Sequence, residues 1–386
     1  MTYEADLSFN YFSPTKVVFG VGSIVELPME VQALGKKAFL VTDGGIIESG
    51  LMDGIKKHLG DSLVGIYADV PQDSGMGIVD KGAELALAAS ADVVVSLGGG
   101  SVIDTAKGMS IVMKEGGSIS DFQGMQMLTR EQTPHIVVPT TAGTGSEVTS
   151  GAVIFDREQG QKIIIFEYYN TPRVAILDPR MTESLPPDLT ASTGMDAMTH
   201  AVESYVSQQR NPVSDAVALH AIRLIVKHLP AAVENGSDMA ARGQMQTAAL
   251  LAGWAFSNAM LGLAHAMAHS LGAVCGIPHG LANGLLLPHV MSYNLGEVPQ
   301  LLADIAGAMG VNANGMSADE AGAAAVAEME VFAKKIGLSQ RLGNLGVKPE
   351  ALQACSELSM SDGSIIYNPK IVLESDDVME VYMKAY

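Results

Sequence analysis

The chain has 386 residues, of which 48% are hydrophobic and 17% are charged, so it has enough apolar material for about two folded domains. A formal net charge of -19, from 42 acidic and 23 basic residues, argues against binding to nucleic acid or to an anionic membrane surface. The two cysteines, the acidic N-terminus and the lack of a run of about 18 apolar residues predict a soluble, cytoplasmic protein without disulfides or membrane helices.

Short β-branched runs alternate with helical patterns through the first half of the chain. The predicted strands are 37–42, 63–67, 92–97, 136–138 and 174–177. The predicted helices are 46–59, 78–89 and 102–113. Such alternation is typical of a parallel, Rossmann-like sheet with helices on both faces, and ligands of these sheets bind at the carboxyl ends of the strands.

The residue composition changes after Leu185-Pro186-Pro187, where segments begin that are rich in Ala, Leu and Met and have a helical period. We therefore predict a dinucleotide-binding α/β domain over residues 1–185. Residues 186–386 form a predicted all-helical, metal-binding and catalytic domain. The cleft between the two domains is the expected site.

A glycine-rich run connects the predicted strand 92–97 to the predicted helix 102–113. It consists of Gly98, Gly99, Gly100 and Ser101. Glycines there allow a pyrophosphate close to the backbone, and the helix N-terminus supplies free N–H groups. A tight strand-to-helix turn is the alternative, since the run is not the G-x-G-x-x-G fingerprint. Asp104 and Lys107, one turn apart, are either a surface ion pair or a support for this loop and a phosphate.

A second loop, residues 139–149, follows the predicted strand 136–138 and is crowded with hydroxyl groups and glycines. Such a loop can donate hydrogen bonds to a ribose, a phosphate or a carboxamide. The threonines assigned to cofactor binding are Thr140, Thr141, Thr144 and Thr149. Asp43, after strand 37–42, stands where a carboxylate accepts hydrogen bonds from an adenosine ribose, although an aspartate there can also cap a helix.

The helical half contains a group of potential metal ligands. Asp196 and His200 are four residues apart, so on a helix both project from one face and can reach one ion. Further imidazoles at His265, His269 and His279 can complete the coordination. Spacing alone does not choose among them, because His265 and His269 are also four residues apart. Three imidazoles and a carboxylate suit Fe(II) or Zn(II) better than magnesium or calcium.

With these motifs assembled, the chain resembles the iron-containing (group III) alcohol dehydrogenases. The motifs that carry the resemblance are GGGSVIDTAK at 98–107, TTAGTGSEVT at 140–149, TGMDAMTHAVE at 193–203 and the segment 262–279. The resemblance runs nearly end to end. It implies a nucleotide-binding α/β domain, a helical domain, and hydride transfer between NAD and small aliphatic alcohols or aldehydes.

The resemblance also implies roles for single residues. The metal ligands that it implies are Asp196, His200, His265 and His279. Lys162 approaches the cofactor, and Asp43 favours NAD over NADP. His269 lies between the metal and the substrate, where a neutral imidazole can relay the alcohol proton. We also expect a homo-oligomer, a dimer or larger.

Two other classes of protein compete with this interpretation. Dehydroquinate synthase-like lyases have a similar fold and use NAD catalytically, but they bind a phosphorylated, carboxylated substrate through basic residues. Residues 194–203 and 262–280 contain no Lys or Arg. A cofactor-binding protein without activity is the third class, and the complete ligand set argues against it.

Overall fold

The computed structural model describes residues 8–156 and 161–386. Its strands are β1 (Lys16–Phe19), β2 (Ala38–Val41), β3 (Leu63–Tyr67), β4 (Val93–Gly98), β5 (Gly124–Met125), β6 (His135–Pro139), β7 (Gly151–Asp156), β8 (Gln161–Phe166) and β9 (Val174–Leu177). Six of them form a parallel sheet in the order β1-β9-β6-β4-β2-β3, and β5, β8 and β7 form a smaller sheet.

The α-helices divide into two groups along the chain. Those of the first half are α1 (Leu27–Leu34), α2 (Gly44–Glu48), α3 (Leu51–Leu59), α4 (Met76–Ala88) and α5 (Gly100–Glu115). Those after β9 are α6 (Pro187–Val206), α7 (Pro212–Glu234), α8 (Met239–Ala259), α9 (Leu263–Cys275), α10 (His279–Asn294), α11 (Pro299–Met309), α12 (Ala318–Lys335), α13 (Pro349–Ser359) and α14 (Ser375–Ala385). A parallel sheet followed by a helical region is the predicted fold class, which is confirmed.

The four central strands of the parallel sheet, β9, β6, β4 and β2, are buried on both faces, as their continuous apolar runs predict. Successive side chains of β2 point to opposite sides: Phe39 and Val41 belong to one apolar cluster, and Ala38 and Leu40 belong to another. Helices α4 and α5 cover the first side, whereas α1 and α3 cover the second. The sheet is therefore a rigid core whose loops are held at its edges.

Strand register places the two predicted cofactor loops side by side. β4 pairs with β6, and Gly98 at the end of β4 lies opposite Pro139 at the end of β6. The glycine run and the hydroxyl-rich loop both follow directly from these residues. They leave the same, carboxyl-terminal edge of the sheet, where ligands of parallel sheets bind.

Three local expectations were wrong or incomplete. The predicted helix 46–59 is two helices, α2 and α3, separated by Gly50 in the left-handed region at φ 77°. Strand β1 was missed because its four residues are too few to show a period. The hairpin of β7 and β8 was also missed, and residues 157–160 between these strands lie outside the described residues.

Helices α6 to α14 pack around two apolar clusters. Helix α7 is long and apolar enough to cross a membrane, as are α8 and α9 taken together across a bend of 103°. This is weak evidence for a membrane protein, since core helices meet the same criteria. Ile222, Ile225 and Leu229 of α7 are fully buried against α6 and α8. The predicted boundary between residues 185 and 186 falls in the connection from β9 to α6.

Candidate metal and cofactor site

Three helices bring the four predicted metal ligands together. Asp196 and His200 lie one turn apart on α6, and His279 begins α10 opposite them. His265 lies in the first turn of α9. Asp196 Oδ1 is 3.5 Å from Nε2 of His279 and 3.9 Å from Nε2 of His265. The same oxygen is 4.0 Å from Nε2 of His200.

The ligand atoms of Asp196, His265 and His279 form the tightest part of this cluster. All three atoms lie within 4.8 Å of one another. His200 stands slightly apart, with its ring stacked 4.6 Å from the ring of His265. Sequence spacing predicted the pair on α6, and the fold adds the two histidines that spacing alone did not select.

A glycine contact explains why His279 reaches α6. Gly280 follows His279 in the first turn of α10, and a Cβ on this glycine would lie 2.6 Å from the backbone oxygen of Ser192. Only a residue without a side chain lets the start of α10 approach the α6 backbone this closely. The close approach aims the imidazole of His279 at Asp196.

Glu203 fixes the orientation of His265. His265 Nδ1 donates a hydrogen bond of 2.6 Å to Glu203 Oε2, and the backbone N–H of Ala264 donates one of 2.6 Å to Oε1. With Nδ1 as the donor, Nε2 keeps its lone pair, which faces Asp196. A carboxylate behind a histidine is the usual way in which proteins orient a metal-binding imidazole.

Burial keeps these imidazoles in the neutral form. It is the main cause that lowers the pKa of His200 to about 4 and the pKa of His265 to about 3. Burial also holds the pKa of His279 well below its usual range. Near neutral pH each ring therefore has a free nitrogen lone pair, which metal binding requires.

Asn283 lies at the centre of the cluster. Its Nδ2 is 2.7 Å from Asp196 Oδ1, 3.1 Å from His265 Nε2 and 3.2 Å from His279 Nε2. An amide group has two hydrogens for these three acceptors, and Asn283 Oδ1 is buried without a hydrogen-bond partner in the described part of the chain. So many lone pairs around one point fit a cation, and a carboxylate with neutral imidazoles fits Fe(II) or Zn(II).

His269 lies beside the cluster, but its hydrogen-bond partner is a residue outside the cluster. Its ring stacks on His279 at a centroid distance of 5.1 Å, and its Nδ1 donates a hydrogen bond of 2.7 Å to Asp362 Oδ2. Burial alone would raise the pKa of Asp362, but His269 and the backbone N–H of Ser364 hold that pKa well below its usual range. The pair is an imidazole oriented by an ionised carboxylate.

The two cofactor loops touch each other. A Cβ on Gly99 would lie 3.1 Å from Thr141 Cγ2, and one on Gly100 would lie 2.8 Å from Thr144 Cγ2. Thr141 and Thr144 are half-buried, whereas Thr140 is buried. Helix α5 begins at Gly100, so its free N–H groups lie at this junction, an arrangement that both a phosphate-binding loop and a tight strand-to-helix turn have.

Asp104 and Lys107 are not a surface ion pair, and that alternative was wrong. Lys107 is fully buried, and its Nζ lies 3.8 Å from Asp104 Oδ1. Lys107 Nζ donates hydrogen bonds to Thr149 Oγ1 at 3.0 Å and to the Gly151 carbonyl at 2.6 Å. Asp104 Oδ2 accepts one of 3.0 Å from the Val153 backbone. The pair ties α5 to β7 and to the end of the hydroxyl-rich loop.

Asp43 caps α2, which was the alternative to a role in cofactor binding. Its Oδ1 accepts a hydrogen bond of 3.0 Å from the backbone N–H of Ile46. The cap uses one carboxylate oxygen of a half-buried side chain at the carboxyl end of β2. Capping and ribose recognition are therefore compatible at this position.

Comparisons with known proteins identify the family. The sequence model of the iron-containing alcohol dehydrogenases matches residues 14–179, and that of the C-terminal part of the Fe-containing alcohol dehydrogenase family matches residues 190–386. The chain belongs to the iron-containing alcohol dehydrogenase family. The fold and the enzyme class expected from the sequence are thereby confirmed, and this family implies a divalent metal and a nicotinamide cofactor.

Individual relatives of this alcohol dehydrogenase match along their full length. A 1,3-propanediol dehydrogenase from Klebsiella pneumoniae is 42% identical, covering 98% of this chain and 99% of the relative. An NAD-dependent methanol dehydrogenase from Bacillus methanolicus is 36% identical, covering 95% and 97%. A crystal structure of 1,3-propanediol oxidoreductase superimposes with a TM-score of 0.95 at 40% identity, covering 98% of this chain and 100% of the other.

Three polar residues of this alcohol dehydrogenase contact the site but were not predicted. Glu203 follows His200 by three residues and Asn283 follows His279 by four, so helical spacing carries a signal for both. Asp362 lies 93 residues after His269, and no local pattern marks it. Sequence reasoning finds contacts within a helix more readily than contacts between distant segments.

Proposed function

We propose that this chain is an Fe(II)-dependent, NAD-linked enzyme that interconverts short, uncharged aliphatic alcohols or diols and the corresponding aldehydes. The observation that carries the proposal is the convergence of Asp196, His265 and His279, whose ligand atoms lie within 4.8 Å of one another. A cluster of this composition suits a metal that polarises an oxygen, and His269 lies directly beside it.

The proposed metal ligands are Asp196, His200, His265 and His279. All four belong to helices that pack on one another, so the cage is built from rigid elements. We favour Fe(II) over Zn(II) because the matched family is iron-containing. When bound, the cation supplies Lewis acidity to a substrate oxygen, and NAD supplies the carbon that accepts hydride.

The proposed cofactor site follows the carboxyl edge of the parallel sheet. The residues that face it are Asp43, Gly98, Gly99, Gly100, Ser101, Thr141, Thr144 and Lys162. Asp104, Thr140 and Thr149 support these loops from behind, since all three are buried. Negative phosphates are favoured at the junction because the N-terminus of α5 is positive.

His269 is the proposed proton relay. Since Nδ1 donates to Asp362, Nε2 has the lone pair that can take the alcohol proton. Oxidation removes one hydride, which goes to NAD⁺, and one proton, which goes to His269. The Asp362 carboxylate stabilises the imidazolium formed in this step, and in aldehyde reduction the proton returns along the same path.

Two features favour small, uncharged substrates. The segments 194–203 and 262–280 contain no Lys or Arg, so they offer nothing to pair with a phosphate or carboxylate. Phe256 stacks on His200 at 4.4 Å and forms an apolar wall at the cluster. The same features argue against the dehydroquinate synthase-like alternative, for which the family comparison gives no support.

A substrate screen tests this proposal. The iron-loaded protein would be assayed anaerobically with short aldehydes, diols and carboxylated or phosphorylated aldehydes. We expect the highest kcat/KM with uncharged substrates of about two to four carbons, because the ring of Phe256 beside His200 offers an apolar contact for a short aliphatic chain and nothing that pairs with a charge. A preference for the charged aldehydes would contradict the proposed substrate class.

We also propose that the enzyme works in the cytoplasm as a homo-oligomer. Both cysteines are free thiols in the described structure, which suits a reducing compartment. Large apolar side chains are exposed on and after edge strand β1, namely Phe19, Val21, Val25 and Met29. Such a patch favours contact with another subunit, and light scattering of the purified protein measures the assembly directly.

Glu203→Gln is expected to weaken metal binding. The substitution keeps the size of the side chain but removes the charged acceptor that orients His265. Loss of a carboxylate behind a metal-binding histidine typically lowers affinity or activity by about 10- to 100-fold. Competition with a chelator measures the change in metal affinity, and an affinity equal to that of the wild type would show that Glu203 is only a packing residue.

Asp43 is expected to determine cofactor choice, because its carboxylate repels the 2'-phosphate of NADP. Asp43→Asn removes this charge and keeps an α2 cap, and Asp43→Gly removes both the charge and the capping side chain. In each variant the ratio of kcat/KM for NADPH to that for NADH should rise roughly tenfold, equivalent to about 1.4 kcal/mol. An unchanged ratio in both variants would reduce Asp43 to a capping residue.

A further inference from the structure

Lys162, the predicted cofactor contact, is held by an acidic side chain. Its Nζ lies 2.9 Å from Asp73 Oδ1. The side chain of Lys162 is 14% exposed, whereas that of Asp73 is 50% exposed. The ammonium group therefore lies within the cleft, and the carboxylate approaches it from the solvent side.

Asp73 is attached to the phosphate loop itself. Its backbone N–H donates a hydrogen bond of 3.2 Å to Ser101 Oγ. The residue has φ 49°, in the left-handed region, and the next residue, Ser74, accepts a hydrogen bond of 2.9 Å from Phe155 N. Contacts to α5 and β7 thus hold this turn, and with it a negative charge, beside the loop proposed to bind pyrophosphate.

A cavity of about 250 Å³ lies at the ion pair and is lined by residues from both halves of the chain. Its lining residues are Gln72, Asp73, Phe155, Lys162, Gly272 and Ala273. The last two belong to α9, the helix that carries His265 and His269. Lys162 therefore lies between the phosphate loop and the helix of the proposed metal ligand His265.

We propose that Asp73 competes with the pyrophosphate of the dinucleotide for Lys162 and thereby weakens binding of NAD and NADH. This inference rests on the proposed function, which places the dinucleotide along the glycine run and beside Lys162. A bound pyrophosphate brings negative charge next to Asp73 and next to its partner Lys162. Binding then requires Lys162 to exchange one anionic partner for another, and the Asp73 carboxylate still repels the bound pyrophosphate.

The competing interpretation is that Asp73 helps binding by holding Lys162 in place. The two interpretations predict opposite changes in dinucleotide affinity. Competition predicts that loss of the Asp73 charge tightens dinucleotide binding, and positioning predicts that it weakens binding. The partial exposure of Asp73 limits the effect, so we expect roughly a three- to tenfold change in Kd.

The test is the Kd of NADH, measured by nicotinamide fluorescence, for the wild type, Asp73→Asn, Lys162→Gln and the double variant. Asparagine is a suitable replacement because it keeps the shape of the aspartate side chain and tolerates the left-handed backbone region. Asp73→Gly is a second variant that also tolerates this backbone conformation. Glu131→Gln is the matched control. It breaks the ion pair of Glu131 with Arg173 at the amino-terminal edge of the sheet, and so removes one acidic charge away from the cleft.

We expect Asp73→Asn to lower the Kd of NADH about three- to tenfold, with the difference shrinking as salt is added. Glu131→Gln should leave the Kd unchanged, and Asp73→Asn should have a smaller effect when Lys162 is already glutamine. An equal or higher Kd in both Asp73→Asn and Asp73→Gly would overturn the inference while leaving the proposed function intact. A wild-type protein that does not bind NADH at all would instead overturn the proposed function, and this inference with it.

Discussion

His265→Ala is expected to lose bound Fe(II) and turnover while keeping its affinity for NADH. The substitution removes the Nε2 atom that lies 3.9 Å from Asp196 Oδ1, and it leaves Glu203 buried without its main partner. Removing a group that only orients a metal ligand already lowers metal affinity by about 10- to 100-fold. Removing a ligand itself should therefore weaken metal binding more than about 100-fold. NADH affinity should stay within about twofold because the proposed dinucleotide contacts come from the loops at the carboxyl edge of the parallel sheet and from Lys162 of β8, and none of them comes from α9.

Elemental analysis after desalting, together with NADH titration, measures these two properties separately. His289→Ala is the matched control: it removes an imidazole from α10, the helix of His279, at a half-buried position outside the cluster. His265→Gln serves as a second variant that fills more of the space. Full metal content and normal turnover in both His265 variants would contradict the proposed ligand set.

His269→Ala is expected to lower kcat by about 100- to 10,000-fold and to retain the metal, since general acid–base groups contribute about this much. The reason is geometric. His269 Nδ1 is bound to Asp362, and its ring stacks on the ring of His279, a proposed ligand. Asp362→Asn should give a smaller loss, because the imidazole remains but the charge that stabilises its protonated form is gone.

Metal content and single-turnover rates of the two variants separate relay from ligand. Loss of metal from His269→Ala, with retention in His265→Ala, would reverse the roles assigned to these histidines. Normal turnover in His269→Ala would show that the proton leaves by another route, and would reduce His269 to a residue that packs on His279.

The elements of the parallel sheet were predictable because buried parallel strands are short, continuous apolar runs. The run 92–97 is β4 within one residue at each end, and strand 174–177 is β9. The break at Gly50 was less visible, since glycine is tolerated within helices as well as between them. The hairpin of β7 and β8 interrupts an otherwise regular alternation, and nothing in that alternation marks such an insertion.

The site shows the same division between local and distant information. A helical spacing of four residues joins Asp196 to His200, and the structure keeps that pair on one face of α6. The same rule makes His265 and His269 an equivalent pair, whereas the structure gives them different partners. Glu203 accepts a hydrogen bond from His265 and Asp362 accepts one from His269, and both acids come from other segments of the chain.

Lys107 shows why sequence position alone misjudges a charge. One turn after Asp104 on α5, it has the spacing of an ordinary surface pair. The side chain is nevertheless fully buried, and burial lowers its pKa to about 8. The difference arises because β7 and the hydroxyl-rich loop cover this face of α5, and that packing is set by strand order rather than by local sequence.

The proposed function requires that the metal cluster and a nicotinamide act together in one cleft. Absorbance of the reduced nicotinamide band with a short aldehyde measures this coupling, using iron-loaded protein, chelator-treated protein and chelator-treated protein with Fe(II) restored. We expect net consumption of NADH equal to the alcohol formed, loss of that consumption after chelation and its return with Fe(II). No net consumption with any carbonyl compound by a protein that binds both NADH and Fe(II), or consumption that is unchanged after the metal is removed, would contradict the proposed function.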